Sequence, residues 1–233
     1  PTIHTLWSFN HDGPLIRAAA AAARERGAAA LVMLETGERR RPVFYHKHGF
    51  NRIEIIRTYE HIEPHVLARQ YDPDSQQFVR LSLEQPALVA AVQTLDHAAF
   101  PWFWWNSPDE FAAYLRMRDV EVWAGIRDDT VVSYIGFTAY HHWAHLDRIA
   151  VAPGMQGHGL GRSAVAFAAT RMVESGARHI GLSTQSANRV SRRMYESLGF
   201  RHTRQSDYDV FGIVMDADRV FAPAGAAPRA HES

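Results

Sequence analysis

The sequence predicts a mixed α+β (α/β) fold, and three observations carry that reading. The first is the run 151–163, Val-Ala-Pro-Gly-Met-Gln-Gly-His-Gly-Leu-Gly-Arg-Ser. An apolar strand pattern (Leu146, Ile149, Val151) stops at Pro153, glycines follow at 157, 159 and 161, and an alanine-rich helix runs from Ser163 to Val173. The second is the segment 180–200, "IGLSTQSANRVSRRMYESLGF". It reads as a buried strand (Ile180–Leu182), a turn at Ser186-Ala187-Asn188, a helix over 189–198 and a C-terminal glycine at Gly199 before Phe200 starts a new strand. The third is an internal repeat of that passage near the start of the chain.

The repeat comes first in chain order. An alanine helix (18–26) precedes Gly27-Ala28, as the later helix precedes Gly176-Ala177. An apolar strand (Leu31–Leu34) follows, then Phe44-Tyr45-x-x-x-Gly49-Phe50, which matches Met194-Tyr195-x-x-x-Gly199-Phe200. The early copy is incomplete. "WSFNHDGPL" (7–15) has one glycine where the later loop has three, so it lacks that means of holding a phosphate. Residues 1–63 therefore read as a degenerate half-domain. Either the chain is a piece of a longer protein, or the half-domain covers its apolar face and strand edges against the other domain or a second subunit, as in a homodimer.

A linker is expected over 64–77, with Pro64, Pro73 and the polar run Asp72–Gln77. The main domain then spans 78–216. Phe78–Leu83 alternates as a strand, and Gln85–His97 carries Ala87, Val89, Val92 and Leu95 at helical spacing. The aromatic cluster "FPWFWW" (100–105) comes next. Ser107 and Pro108 open a helix as N-cap and first helical residue. Glu121–Ile126 and Val131–Tyr140 are strands around an Asp128-Asp129 turn, and His145–Val151 is the fourth strand. Strand-like runs recur at 201–206 and 210–215, and 217–233 has the composition of a loose tail.

The glycine loop carries the chemistry. Glycines remove side chains so that the main chain can approach an anion. The helix N-terminus adds unpaired N–H donors and a partial positive charge, and Arg162 adds a cation in the first turn. The expected ligand is a pyrophosphate. Two other pyrophosphate loops are excluded. The dinucleotide fingerprint needs G-x-G-x-x-G and an acidic residue about twenty positions on, whereas the spacing here is G-x-G-x-G. The P-loop needs a lysine after its glycines, and none follows.

What remains resembles the GNAT superfamily of acetyl-CoA-dependent N-acetyltransferases. Its loop, [Gln/Arg]-x-x-Gly-x-[Gly/Ala], is matched by Gln156-Gly157-His158-Gly159-Leu160-Gly161, and "LDRIAVAP" (146–153) looks like the strand before it. The family's N-x-x-[A/S]-x-x-x-Y-x-x-x-G-F pattern is present as Asn188, Ser191, Tyr195, Gly199 and Phe200. The resemblance implies a mostly antiparallel sheet flanked by helices on both faces, and a whole chain of tandem type with a partial first copy. It implies acetyl-CoA as acyl donor, bound by Ile149, Ala150, Val151, Gln156–Arg162, Asn188 and Tyr195, with no metal. The pantetheine arm would enter a splay between the fourth strand and 180–184. Main-chain N–H groups at 149–151 would bind the pantetheine amide or polarise the thioester carbonyl, and Tyr195 would serve as general acid to the sulfur. The structural alternative is that Asn188 is only a helix cap and Tyr195 only a core aromatic.

Asp147 is the first candidate for general base. In a regular strand it shares a face with Ile149 and Val151. Its alternative is a carboxylate paired with Arg148 or a histidine, or a water takes the proton instead. Asp109, Glu110 and Glu121 rank behind it. Trp104 and Trp105 are the acceptor-pocket candidates within an aromatic cluster whose other rings read as core. His141 and His145 share a strand face and could ligate a metal, but with no adjacent carboxylate completing a triad they read as solvated histidines at a hairpin tip.

Composition sets the outer bounds. The formal net charge is zero, with 25 basic and 25 acidic side chains, which argues against a nucleic-acid partner. There are no cysteines, hence no disulfide, thiolate metal site or thiol nucleophile. No apolar run approaches a membrane span and no leader pattern opens the chain, so the expectation is a cytoplasmic protein with no membrane partner. The acceptor is expected to be a small-molecule amine or a protein amino group. A non-catalytic acyl-CoA-binding sensor or scaffold of the same fold, and a longer acyl donor, are the alternatives.

Overall fold

A computed structural model of the 233-residue chain describes residues 12–34 and 42–226. In chain order these form α1 (Asp12–Glu25), β1 (Ala30–Leu34), α2 (Pro42–Lys47), β2 (Asn51–His61), α3 (Pro64–Ala68), β3 (Gln77–Arg80), α4 (Pro86–Ala99), α5 (Pro108–Leu115), β4 (Val120–Arg127), β5 (Thr130–Tyr140) and β6 (Trp143–Val151). They continue with α6 (Leu160–Glu174), β7 (His179–Gln185), α7 (Arg189–Ser197), β8 (Arg201–His202), β9 (Tyr208–Val214) and α8 (Ala217–Val220). Single 3-10 turns occupy 102–104, 153–155 and 204–206.

All nine strands belong to one sheet, in the order β1-β9-β2-β7-β6-β5-β4-β3, with β8 on β2. Every pair is antiparallel except β6–β7. The two repeats exchange their last strands. β2, which ends the first repeat, lies beside β7 of the second (His61↔Ile180). β9, which ends the second, lies beside β1 of the first (Ala30↔Val214). β2 and β9 also pair with each other. The half-domain is thus covered by the other half of the same chain.

The repeat is visible bond by bond. Gly27 and Gly176 both take positive φ (65° and 95°), and the next residue bonds back in each case: Ala28 N–H to Ala23 O at 2.9 Å, Ala177 N–H to Met172 O at 3.0 Å. Gly49 and Gly199 do the same (82° and 98°), with Phe50 N–H to Tyr45 O at 2.9 Å and Phe200 N–H to Tyr195 O at 3.0 Å. These are left-handed C-terminal caps, where an L side chain would be strained.

Helices cover both faces. On β5, Ile135 and Phe137 pack with α6, whereas Tyr134 packs with Phe111 of α5 and with Val92 and Leu95 of α4. A third cluster joins α1, β1, α2 and Phe211 of β9. Ser107 caps α5 in a reciprocal box with Glu110, a device that contributes on the order of 1 kcal/mol. Hydrogen bonds from Ser107 to the Glu110 carboxyl also hold that group's pKa below the usual range.

Four sequence expectations change. The linker is not unstructured: α3 packs on α6 with Leu67 fully buried. The expected tail begins with α8, capped by Asp216 and anchored by buried Val220, while 227–233 lie outside the described residues. The strand read over 201–206 is two residues of β8 followed by a 3-10 turn. Of the early loop, 7–11 lies outside the described residues, and Gly13 falls in the first turn of α1. No helix among the described residues is long and apolar enough to cross a membrane.

Candidate active site

The glycine loop presents bare main chain. After the turn at 153–155, Gly157 and Gly159 take φ of 83° and 82°, and an added Cβ at either would meet nothing within 4 Å. Their role is conformational, since L residues avoid this region. Gly161 is different: a Cβ there would lie 3.1 Å from Met194 Sδ, so the glycine lets α6 approach α7. The first main-chain bond of this segment after Met155 is Ser163 N–H to Gly159 O at 3.0 Å. Among the described residues, the N–H groups of 156–162 have no protein acceptor. They lie at the positive end of a 15-residue helix.

Side chains of the loop turn elsewhere. Gln156 Nε2 donates to Val151 O at 3.2 Å, and a ring nitrogen of His158 lies 3.3 Å from Met155 O. The Leu160 side chain is core, and its carbonyl accepts from Gln76 Nε2 at 2.9 Å. Arg162, expected as a phosphate cation, donates to Ser197 Oγ of α7. Ala150 packs into the α4–α5 core, so only its main chain is available to a ligand.

The strand that runs into the loop, β6, borders a slot. β6 and β7 pair only over Trp143–Leu146 and His179–Leu182. Beyond Leu146 and Leu182 the two strands part, while β7 stays paired to β2 through Gln185. A cleft of about 350 Å³ occupies the parting, lined by Ile149, Asp147 and His145 on one side and Ser183, Asn188 and Tyr195 on the other.

Tyr195 enters from the α6–α7 face. Its ring is buried against Phe200 (5.8 Å between centroids) and Tyr59 (6.3 Å). Its hydroxyl has no protein partner among the described residues, yet it is not sealed in, because it reaches the cleft. Burial pushes its pKa above that of an ordinary phenol, so the hydroxyl keeps its proton. Asn188 caps α7, accepting from Ser191 N–H at 3.1 Å, and also lines the cleft.

The opposite face holds Asp147. The register of β5 and β6 slips between Phe137↔Leu146 and Gly136↔Arg148, leaving Asp147 as the extra residue of a bulge. This corrects the regular-strand expectation. Ile149 packs toward α6, whereas Asp147 and Arg148 both turn toward α4 and α5. Asp147 Oδ2 accepts from Tyr114 Oη and Thr138 Oγ1, each at 2.6 Å, and Oδ1 lies 2.7 Å from His145 Nδ1. Gly136 makes this possible, since a Cβ there would sit 2.7 Å from Tyr114 Oη. Burial and the Asp147 carboxylate push the Tyr114 pKa far above the phenol range. Asp109, Glu110 and Glu121 do not line the cleft. Glu121 is taken up by Trp123 Nε1 (2.9 Å) and two arginines on β3 and α6.

Arg148 fixes the wall of the cleft. Its guanidinium grips the buried Asp96 of α4 with two nitrogens, at 2.6 and 3.0 Å, donates to Tyr134 Oη at 2.8 Å and to the carbonyl of Trp104, and lies 4.1 Å over the Phe100 ring. Trp104 therefore lines the cleft. Trp105 does not: its ring stacks on His97 at 4.1 Å, its Nε1 donates to Phe100 O at 2.7 Å, and it borders a neighbouring cavity of about 520 Å³. His141 and His142 stand together at the hairpin tip, away from His145. Among the described residues no group of three or more histidines and carboxylates could hold a metal. The Asp96–Arg148 pair has no counterpart among the sequence expectations, whereas the alternative that pairs Asp147 with a histidine is the arrangement seen, with His145 as the partner. A charged or polar residue at consecutive strand positions 147 and 148 was the available signal, since one of the two must break the alternation.

Comparison with known proteins places this architecture. No curated protein matches the chain in sequence at a significant level. Solved structures do match in fold. A GCN5-related N-acetyltransferase from Kribbella flavida superposes with TM-score 0.66 at 13% identity, covering 98% of this chain and 55% of that one. A functionally unknown conserved protein from Staphylococcus epidermidis gives 0.63 at 13%, covering 91% and 82%. A tandem GNAT protein from the clavulanic acid biosynthesis pathway gives 0.57 at 16%, covering 97% and 76%. At these identities the likeness is one of fold. The model of the acetyltransferase (GNAT) family matches residues 82–200, which take in α4, α5, the bulged strand, the bare loop and the Tyr195 turn, and this chain belongs to that family.

Proposed function

We propose that the protein is an N-acyltransferase that moves an acetyl group from acetyl-CoA to a primary amine, of a small molecule or a protein, by direct transfer in a ternary complex. The observation that carries the reading is the row of unbonded N–H groups at 156–162, set against α7, the helix whose Asn188 cap and Tyr195 line the slot between β6 and β7. A diphosphate fits such a row, because it supplies the acceptors the loop lacks. The parted edges of β6 and β7 expose main-chain groups to an extended amide-bearing arm. In transfer, the amine attacks the thioester carbonyl, unpaired N–H groups on the β6 edge receive the developing oxyanion charge, and Tyr195 donates a proton to the departing sulfur. No protein nucleophile is required, consistent with a chain that has no cysteine.

Trp104 and Phe100 border the acceptor end of the cleft, and their rings suit an apolar or cationic amine. Asp147 is hydrogen-bonded at both oxygens, so its service as base runs through a neighbour rather than directly. The test has two stages. Saturating acetyl-CoA is expected to raise the melting temperature, corresponding to about 2.7 kcal/mol at a hundredfold excess over Kd. A panel of primary amines is then expected to release free CoA. No thermal shift overturns the reading. A shift without release from any amine leaves a scaffold that binds the donor and does no transfer.

A further inference from the structure

We infer that His145 is the group that takes the proton from the acceptor amine, with Asp147 as its positioning residue; this rests on the acyltransferase reading above. The titratable side chains lining the cleft are His145, Asp147, Arg148, Tyr195 and Tyr208. Arg148 is locked on Asp96, and burial raises the pKa of both phenols, which keeps them protonated and leaves neither available as a base. Asp147 has Oδ2 filled by Tyr114 and Thr138 and Oδ1 engaged by His145 Nδ1. That last bond fixes the tautomer: Nδ1 carries the hydrogen and Nε2 keeps its lone pair. Nε2 has no protein partner among the described residues and is not sealed from solvent.

Placement agrees with the role. His145, Asp147 and Arg148 turn to the α4–α5 face of the sheet, and Tyr195 reaches the slot from the α6–α7 face. The groups flanking His145 are Asp147 and Trp143 from its own strand, Tyr114 from α5 through Asp147, and Arg148 with Asp96 from α4. From β7, Gly181 stands opposite it, where a Cβ would lie 3.6 Å from His145 Cδ2, and Ser183, Thr184 and Gln185 line the same cleft. A thioester in the slot would thus meet its proton donor on one face and the incoming amine, beside its proton acceptor, on the other.

The step balances without any further reactant. His145 Nε2 takes one proton from the ammonium form of the acceptor. The freed nitrogen lone pair forms the C–N bond, and the C–S bond breaks with its electron pair going to sulfur. Tyr195 gives sulfur its proton and regains one from water, and the second proton lost by nitrogen as the amide forms passes to water on its own face. The imidazolium returns its proton to water, so one proton is released per turnover.

The experiment compares wild type with His145→Gln, Asp147→Asn and the double variant. It measures free CoA release with the amine panel, the pH dependence of kcat/KM, and the thermal shift with acetyl-CoA. His145→Gln is expected to lower kcat about 100-fold, leave the acetyl-CoA shift and its KM unchanged, and abolish the acid limb of the profile. Asp147→Asn is expected to lower kcat by less, and the double variant to be no slower than His145→Gln, because the two residues act as a unit. A His145→Gln protein with wild-type kcat, or with the acid limb intact, overturns the proposal alone. Wild type that binds acetyl-CoA and transfers to no amine overturns the acyltransferase reading and the proposal together.

Discussion

The two repeats share a backbone plan and differ in what surrounds their tyrosines. Tyr45 lies flat on Phe211, with centroids 3.7 Å apart and planes 1° apart, and packs in the α1–β1 core. Tyr195 has the same Gly-Phe turn four residues on and the same main-chain bond from it, but its hydroxyl opens into a cleft. The motif itself therefore builds a helix end. The second copy differs in that β7 has a parallel neighbour that splays away, and in that this neighbour runs on into a loop of bare N–H groups. Among the described residues β1 ends the sheet, with β9 its single neighbour, and the first copy has no such gap.

The comparison can be broken hardest at the cleft wall. Asp96→Ala leaves Arg148 buried and unpaired and is expected to cost about 3–5 kcal/mol in denaturant melts, with no counterpart in the first repeat. Next comes the tyrosine pair. Tyr195→Phe is expected to slow CoA release about 100-fold while acetyl-CoA still stabilises the fold, and Tyr45→Phe to leave the rate unchanged. An equal loss in both would make Tyr195 a packing residue.

The glycine caps give a smaller and more discriminating effect. Gly27→Ala and Gly159→Ala each place an L residue at positive φ with open space around it, so each is expected to cost about 1–2 kcal/mol by thermal melt. Gly159→Ala alone is expected to weaken acetyl-CoA binding by calorimetry. The smallest effect concerns pH. His61 at the end of β2 lies 3.2 Å from Leu198 O through Nε2, and its Nδ1 accepts from Glu63 N–H at 3.2 Å. Both nitrogens are satisfied in the neutral ring, and burial lowers its pKa. The unfolded chain therefore binds this proton first. The contribution is complete above the ordinary histidine value and is lost as pH falls through it toward the folded value. Stability measured from pH 8 downward is expected to decline through that window, and His61→Gln to flatten the decline.

How much was legible follows from the range of the interactions. The loop at 156–161, the Asn188 cap, the Gly199 turn and the repeat are set by residues within a few positions of one another, and all could be read directly. The face of Asp147 could not. Alternation holds only while both strands advance together, and the slip opposite Gly136 is made by packing against Tyr114, 33 positions away. The same holds for the Asp96 partner of Arg148, 52 positions away, and for the burial of Trp105 against His97.

Local sequence sets the elements, their caps and the bare glycine loop, because main-chain conformation answers to nearby side chains and glycines. Which strands became neighbours, where β6 left β7, and which histidine met which carboxylate were settled by long-range packing. Those outcomes depend on edges and faces brought together from distant parts of the chain. Strand exchange is the clearest case: β2 and β9 carry no local mark that sends each to the other repeat, and the pairing arises where each finds an open edge and an apolar face to cover.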